Sequence, residues 1–145
     1  MDEPREAVER LVVCLNKIDG LYYMSARQRG INENALCVLY ALNDGKAHSQ
    51  KQICEEWLIP KTTVNTIIRE WQREGIIVLI PENRGREKNI CLTDKGRAWA
   101  KELLTPVYRA EQTAMARTVQ EFSPEFIRAL EHFCGYLQDA FEQPS

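Results

Sequence analysis

The stretch from Pro60 to Gly75 constrains this chain more than any other. It reads as a helix with a deliberate start and stop. Proline suits a first helical turn, where it has no N–H to lose and its φ is already set. Glycine at the far end suits a left-handed cap. Between them Val64, Ile67, Ile68 and Trp71 recur at helical spacing and make one buried stripe. The opposite face carries Thr62, Asn65, Thr66, Arg69 and Arg73. Hydroxyls, an amide and guanidiniums are the groups that read base edges and grip phosphates when a helix lies in a DNA major groove, about 12 Å wide. By itself the pattern fits an ordinary amphipathic helix equally well, so its neighbours decide.

Upstream, Asn32 is placed to cap a very apolar helix from Glu33 to about Leu42, which belongs in a core. Asn43 to Lys46 has the composition of a turn. Ser49 then caps a short helix, Gln50 to about Trp57, and Leu58-Ile59 links it to the Pro60 helix. Two helices joined by so tight a link, the second with a polar outer face, form a helix-turn-helix pattern. Downstream the period changes. Ile76 to Ile80 is a strand, Pro81 to Lys88 a charged turn with Gly85 near its tip, and Asn89 to Thr93 a second strand. A hairpin in that place is a wing, and Arg84, Arg86 and Lys88 would bring three cations to a phosphate backbone or a minor groove.

Charge supports the same segment. The whole chain of 145 residues has a formal charge of −2, but residues 46–101 alone carry +4, between segments of −2 and −4. A local basic patch matters more to phosphate binding than the overall balance. A chain of this size can bury about two-thirds of its unfolded surface and needs neither metal nor disulfide to fold. The five cysteines are odd in number and far apart, with no CxxC pair and two histidines, which argues against a zinc site or a disulfide framework. No signal-peptide pattern and no apolar run near 18 residues occurs, so a cytoplasmic protein without a membrane span is expected. No paired carboxylates, nucleophile with a base, glycine-rich phosphate loop or metal spacing points to an enzyme, and no cofactor is expected.

The ends of the chain are helical too. Glu3 to about Arg27 has apolar positions at Val8, Leu11, Val12, Leu15, Ile18 and Tyr22, and Asp19-Gly20 weakens its middle enough to allow a bend. Thr93 and Asp94 cap a long helix, Lys95 to about Val119, in which Pro106 is expected to produce a kink. Ser123 caps a last helix with Pro124 at its first position, rich in Phe126, Ile127, Leu130, Phe133, Cys134, Leu137 and Phe141. Terminal helices with so much apolar surface need a partner. A two-fold dimer supplies one, with Val8, Leu11, Leu15, Phe126, Leu130, Phe133 and Leu137 in its interface.

The succession of helix, helix, helix-turn-helix, wing, long helix and helix resembles the MarR family of bacterial transcriptional regulators. The resemblance is most specific from Gln50 to Gly96: Gln52 to Glu56 for the first helix of the helix-turn-helix, Lys61 to Ile68 for the recognition helix, and Glu74 to Ile77 with Ile90 to Gly96 around the wing. Where the family usually opens the wing with an aspartate, Pro81 stands here. The resemblance implies a mainly α fold with a small β-hairpin wing, a winged helix-turn-helix joined to a terminal-helix dimerisation region. Residues 1–30 would be the first dimerisation helix, 31–97 the DNA-binding domain and 98–145 the C-terminal helices. It further implies a homodimer on pseudo-palindromic double-stranded DNA, usually a repressor, relieved by a small phenolic or lipophilic effector between the dimerisation and DNA-binding regions. Lys61, Thr62, Thr63, Asn65, Thr66 and Arg69 fall on recognition-helix positions and Arg86 on the wing arginine. Two other readings stay open: a winged helix that binds protein rather than DNA, favoured by the acidic total charge, and a regulator that senses oxidants through Cys14.

Overall fold

Short polar side chains decide where the central helices begin. The computed structural model describes residues 3–81 and 87–144. In chain order the elements are α1 (Glu3–Gln28), α2 (Glu33–Leu42), β1 (His48–Ser49), α3 (Gln50–Trp57), α4 (Lys61–Arg73), β2 (Ile77–Pro81), β3 (Lys88–Leu92), α5 (Asp94–Glu121) and α6 (Glu125–Glu142). Asn32 opens α2 by accepting the Ala35 N–H on its Oδ1 at 2.8 Å. Ser49 opens α3 through a reciprocal cap: its Oγ accepts the Gln52 N–H at 3.1 Å, and Gln52 Oε1 accepts the Ser49 N–H at 3.0 Å.

Proline behaves differently from expectation at both helix starts. Pro60 is the N-cap of α4 rather than its first helical residue, with an extended ψ of 140°. Having no side-chain acceptor, it offers only its carbonyl, which takes the Val64 N–H at 3.1 Å. Pro124 likewise stands at the cap of α6, and Ser123, one residue earlier, accepts the Glu125 N–H at 3.2 Å. α1 continues as helix through Asp19-Gly20. At the far end of α4, Gly75 adopts φ +76°. Its N–H reaches the Gln72 carbonyl and the Ile76 N–H reaches that of Trp71, the paired closure that a left-handed residue makes possible.

A third strand joins the expected hairpin. β3 lies between β1 and β2, both antiparallel to it. The register pairs Ile77 with Leu92 and Leu79 with Ile90, and on the other edge His48 with Ile90 and Ser49 with Asn89. The hairpin strands sit one residue from their expected bounds at each end, Ile77–Pro81 and Lys88–Leu92. His48 Nε2 also lies 2.8 and 2.9 Å from the two carboxylate oxygens of Asp44, which ties the turn after α2 to this edge strand.

The chain divides into two compact units, residues 1–105 and 106–145. In the first, the core is made by α2 (Leu36, Val38, Leu39, Leu42), Ile53 of α3, the α4 stripe, the sheet residues Ile77, Ile90 and Leu92, and Leu103 and Leu104 of α5, all buried. Trp71 of α4 meets Trp99 of α5 edge to face, centroids 5.5 Å apart. α1 buries only Ala26 and leaves Val12, Val13, Ile18, Leu21 and Met24 exposed. In the second unit, α5 continues through Pro106 as helix, and α6 buries none of its residues. No helix is long and apolar enough to cross a membrane, among the described residues.

Candidate nucleic-acid interface

The stripe that α4 buries fixes which of its side chains face outward. With Val64, Ile67, Ile68 and Trp71 in the core, Lys61, Thr62, Thr66, Arg69 and Arg73 are exposed and Thr63 and Asn65 half-buried. The polar surface is itself divided. Lys61, Asn65, Arg69 and Gln72 recur every three or four residues and line one side of a groove of about 720 Å³. Gln50, Lys51, Cys54 and Glu55 of α3 form a second side, and Leu79, Lys88 and Ile90 of the wing strands a third. Four cations, Lys51, Lys61, Arg69 and Lys88, and two carboxylates, Glu55 and Glu87, line it. Such a groove attracts an anionic backbone.

Thr62, Thr63, Thr66 and Arg73 do not line this groove. Thr66 donates its hydroxyl to the Thr62 carbonyl at 3.0 Å, so its oxygen is left as an acceptor toward anything outside the helix. Arg84 and Arg86 of the expected wing tip lie outside the described residues. Sequence reasoning missed Gln50, Lys51 and Gln72, which the fold brings to the same groove. Gln50 also donates its side-chain amide to the Lys61 carbonyl at 3.4 Å, bridging the two helices of the helix-turn-helix. The signal for Gln50 and Lys51 was their place in the first turn of α3, just after the Ser49 cap; Gln72 falls eleven residues, about three turns, from Lys61.

The turn between these helices is strained. Leu58 caps α3 in the left-handed region, φ 48°, the only described residue other than glycine to do so, and its side chain is 86% exposed. Beside it Trp57 stacks edge-on against Tyr40 of α2, with centroids 5.7 Å apart. The cysteines are dispersed: Cys14 and Cys134 are exposed, while Cys37, Cys54 and Cys91 are half-buried. Burial first, then the carboxylates of Glu33 and Asp19, push the Cys37 thiol up from its ordinary value. Among the described residues no group of three or more metal-ligating side chains is assembled.

Comparison with known proteins agrees with this geometry. Residues 29–87 match the model of the MarR family. No curated protein sequence matches the chain. A MarR family regulator from Neisseria meningitidis, NMB1585, superimposes with a TM-score of 0.80 at 22% identity, over 93% of this chain and 96% of its own. Staphylococcus aureus MepR in its DNA-binding conformation gives 0.74 at 18% identity, over 92% and 98%. Staphylococcus aureus MarR in complex with salicylate and kanamycin gives 0.71 at 16% identity, over 94% and 93%. At these identities the solved structures speak to the fold. Residues 29–87 thus match the MarR family model, and the chain shares its mainly helical fold, with a small antiparallel sheet, with solved MarR-family regulators.

Proposed function

We propose that this protein regulates transcription by binding double-stranded DNA as a homodimer, as a repressor that a small ligand releases. The observation that carries the reading is the outward face of α4, with Lys61, Asn65 and Arg69 sharing one groove with Lys88 of the wing. α4 enters a major groove and offers Thr62, Asn65, Thr66 and Arg69 to base edges and nearby phosphates. Lys51, Lys61 and Lys88 neutralise the flanking backbone; Arg84 and Arg86, outside the described residues, are further candidates by sequence for the same contact. Val8, Leu11 and Leu15 of α1 with Phe126, Leu130, Phe133 and Leu137 of α6 form the dimer contact. The support is their apolar spacing and, for α6, the absence of any fully buried residue, with Phe126 and Leu137 exposed. Two recognition helices related by two-fold symmetry address half-sites about 34 Å apart. That a Staphylococcus aureus neighbour holds salicylate and kanamycin supports a small-molecule effector here.

Binding to duplex DNA, followed by fluorescence anisotropy, tests the reading. With about six to ten phosphate contacts per dimer, affinity falls about 10³–10⁵-fold between 50 and 200 mM salt. A flat salt response removes the model. Arg69→Ala costs about 1–3 kcal/mol and relaxes sequence preference if Arg69 reads a base, whereas an equal loss on every duplex assigns it to phosphate.

A further inference from the structure

The end of a recognition helix matters as much as its face, because a small pivot there moves every side chain that meets DNA. The last carbonyls of a helix lack partners of its own making. The closure at Gly75 satisfies Trp71 and Gln72, and the start of α5 supplies partners for the carbonyls that follow, Glu74, Gly75 and Ile76. Lys95 Nζ donates to the Glu74 carbonyl at 2.8 Å. Thr93 Oγ1 donates toward the carbonyls of Gly75 and Ile76, and the Thr93 N–H donates to Ile76 O at 3.0 Å. The same hydroxyl oxygen accepts the Gly96 N–H at 3.0 Å and so caps α5. Packing adds to these bonds. A Cβ on Gly96 would lie 2.0 Å from Ile76 O, so only glycine lets α5 sit this close. One turn further on, Trp99 abuts Trp71. A cation at a helix C-terminus is also favoured by the helix dipole.

We propose that Thr93 and Lys95 are positioning residues for DNA binding: they hold the C-terminal end of α4 on the first turn of α5, and neither touches DNA. Lys95 belongs to the basic segment of the chain, yet its ammonium is held by a backbone carbonyl of the helix it steadies. Gly75, with its φ of +76°, is the natural pivot that these contacts lock. The inference rests on the reading of α4 as a DNA-recognition helix.

The test uses the full chain and two probes: a duplex that the wild type selects from a random-sequence pool, and a scrambled duplex of the same length. Thr93→Val and Lys95→Met each lose about five- to tenfold in affinity for the selected duplex, the scale of one hydrogen bond, and little for the scrambled one. Thr93→Ser and Lys95→Arg restore the selectivity. The dependence on salt keeps its slope in all four. Near-ultraviolet circular dichroism without DNA reports the Trp71–Trp99 contact; it changes in Thr93→Val and returns in Thr93→Ser. A slope reduced by about one in Lys95→Met makes Lys95 a phosphate contact and overturns the proposal. An unchanged ratio between the two duplexes overturns it as well. Should Thr93→Val fail to fold, the exposed Lys95 pair decides alone. A wild type that selects no duplex removes the DNA-binding reading itself, whereas a selective wild type with indifferent variants removes only the positioning role.

Discussion

α4 and α6 are written in the same periodic code and meet opposite fates. Each carries apolar residues at three- and four-residue spacing. In α4 all four, Val64, Ile67, Ile68 and Trp71, are buried by the same chain. In α6 none is buried, and Phe141 is 80% exposed. Periodicity therefore says that a face will be covered and is silent about what covers it. α4 is covered by the core it helps to build. α6 leaves Phe126, Ile127, Tyr136, Leu137 and Phe141 exposed and Leu130 and Phe133 half-buried, an apolar surface of the kind that interaction sites carry.

The contrast can be broken by substitution. In the winged helix, Leu39→Ala, at a fully buried position, costs about 2–5 kcal/mol in urea unfolding, through lost transfer energy and the cavity left behind. In α6, Phe133→Asp with Leu137→Asp leaves far-ultraviolet circular dichroism nearly intact but halves the mass measured by light scattering. An unchanged mass would show that α6 is covered by something other than a second copy. A smaller effect sharpens the comparison within the winged helix itself. Leu58→Gly stabilises by roughly 0.5–1 kcal/mol, the left-handed penalty of about 1–2 kcal/mol less the extra chain entropy of glycine. Chemical denaturation measures it.

The smallest effects are electrostatic and differ in sign between two carboxyls. Burial, then the hydrogen bond and charge of Asp19, raise Glu33 above the ordinary carboxyl value. Its contribution to stability is complete below that ordinary value and is lost as pH rises through the raised one. Glu33→Gln therefore raises Tm near pH 7, and the gain disappears near pH 4. Asp44 goes the other way. Slight burial works against its charge, but the hydrogen bonds from His48 and the Lys46 N–H, and the charges of both, hold its carboxyl below the usual range. Its contribution is present above the ordinary carboxyl value and lost as pH falls through the lowered one. Thermal melts of Asp44→Asn and wild type converge at low pH.

Much of this architecture was legible because it is local. Asn32 and Ser49 announce their helices by side-chain chemistry that acts within three residues, and Gly75 announces an ending by its tolerance of positive φ. The β-branched run after Gly75 and the polar face of α4 were legible for the same reason. What was not legible is long-range. β1 has two residues, too few for an alternating pattern, and exists only because Ile90 and Asn89 lie alongside it. Lys51 and Gln72 joined Asn65 and Arg69 only once three elements were packed around one groove. Pro60 stands one position before its expected place because the sequence does not reveal ψ, and an extended ψ puts it outside the first turn of α4; Pro124, with helical φ and ψ, caps α6 from the residue before it. The helix read from Glu3 to about Arg27 is one continuous element through Asp19-Gly20.

The placing of β3 between its two neighbours has a mechanical corollary. Asn89 pairs at once with Ile80 of the wing and with Ser49, the residue that starts α3. Sliding that strand by a single residue would turn Ile90 and Leu92 out toward solvent. The same slip would drag the seat of α3 with it. The wing thus cannot creep along its own ladder without unseating the scaffold beneath the recognition helix, so the finger and the hand behave as one casting.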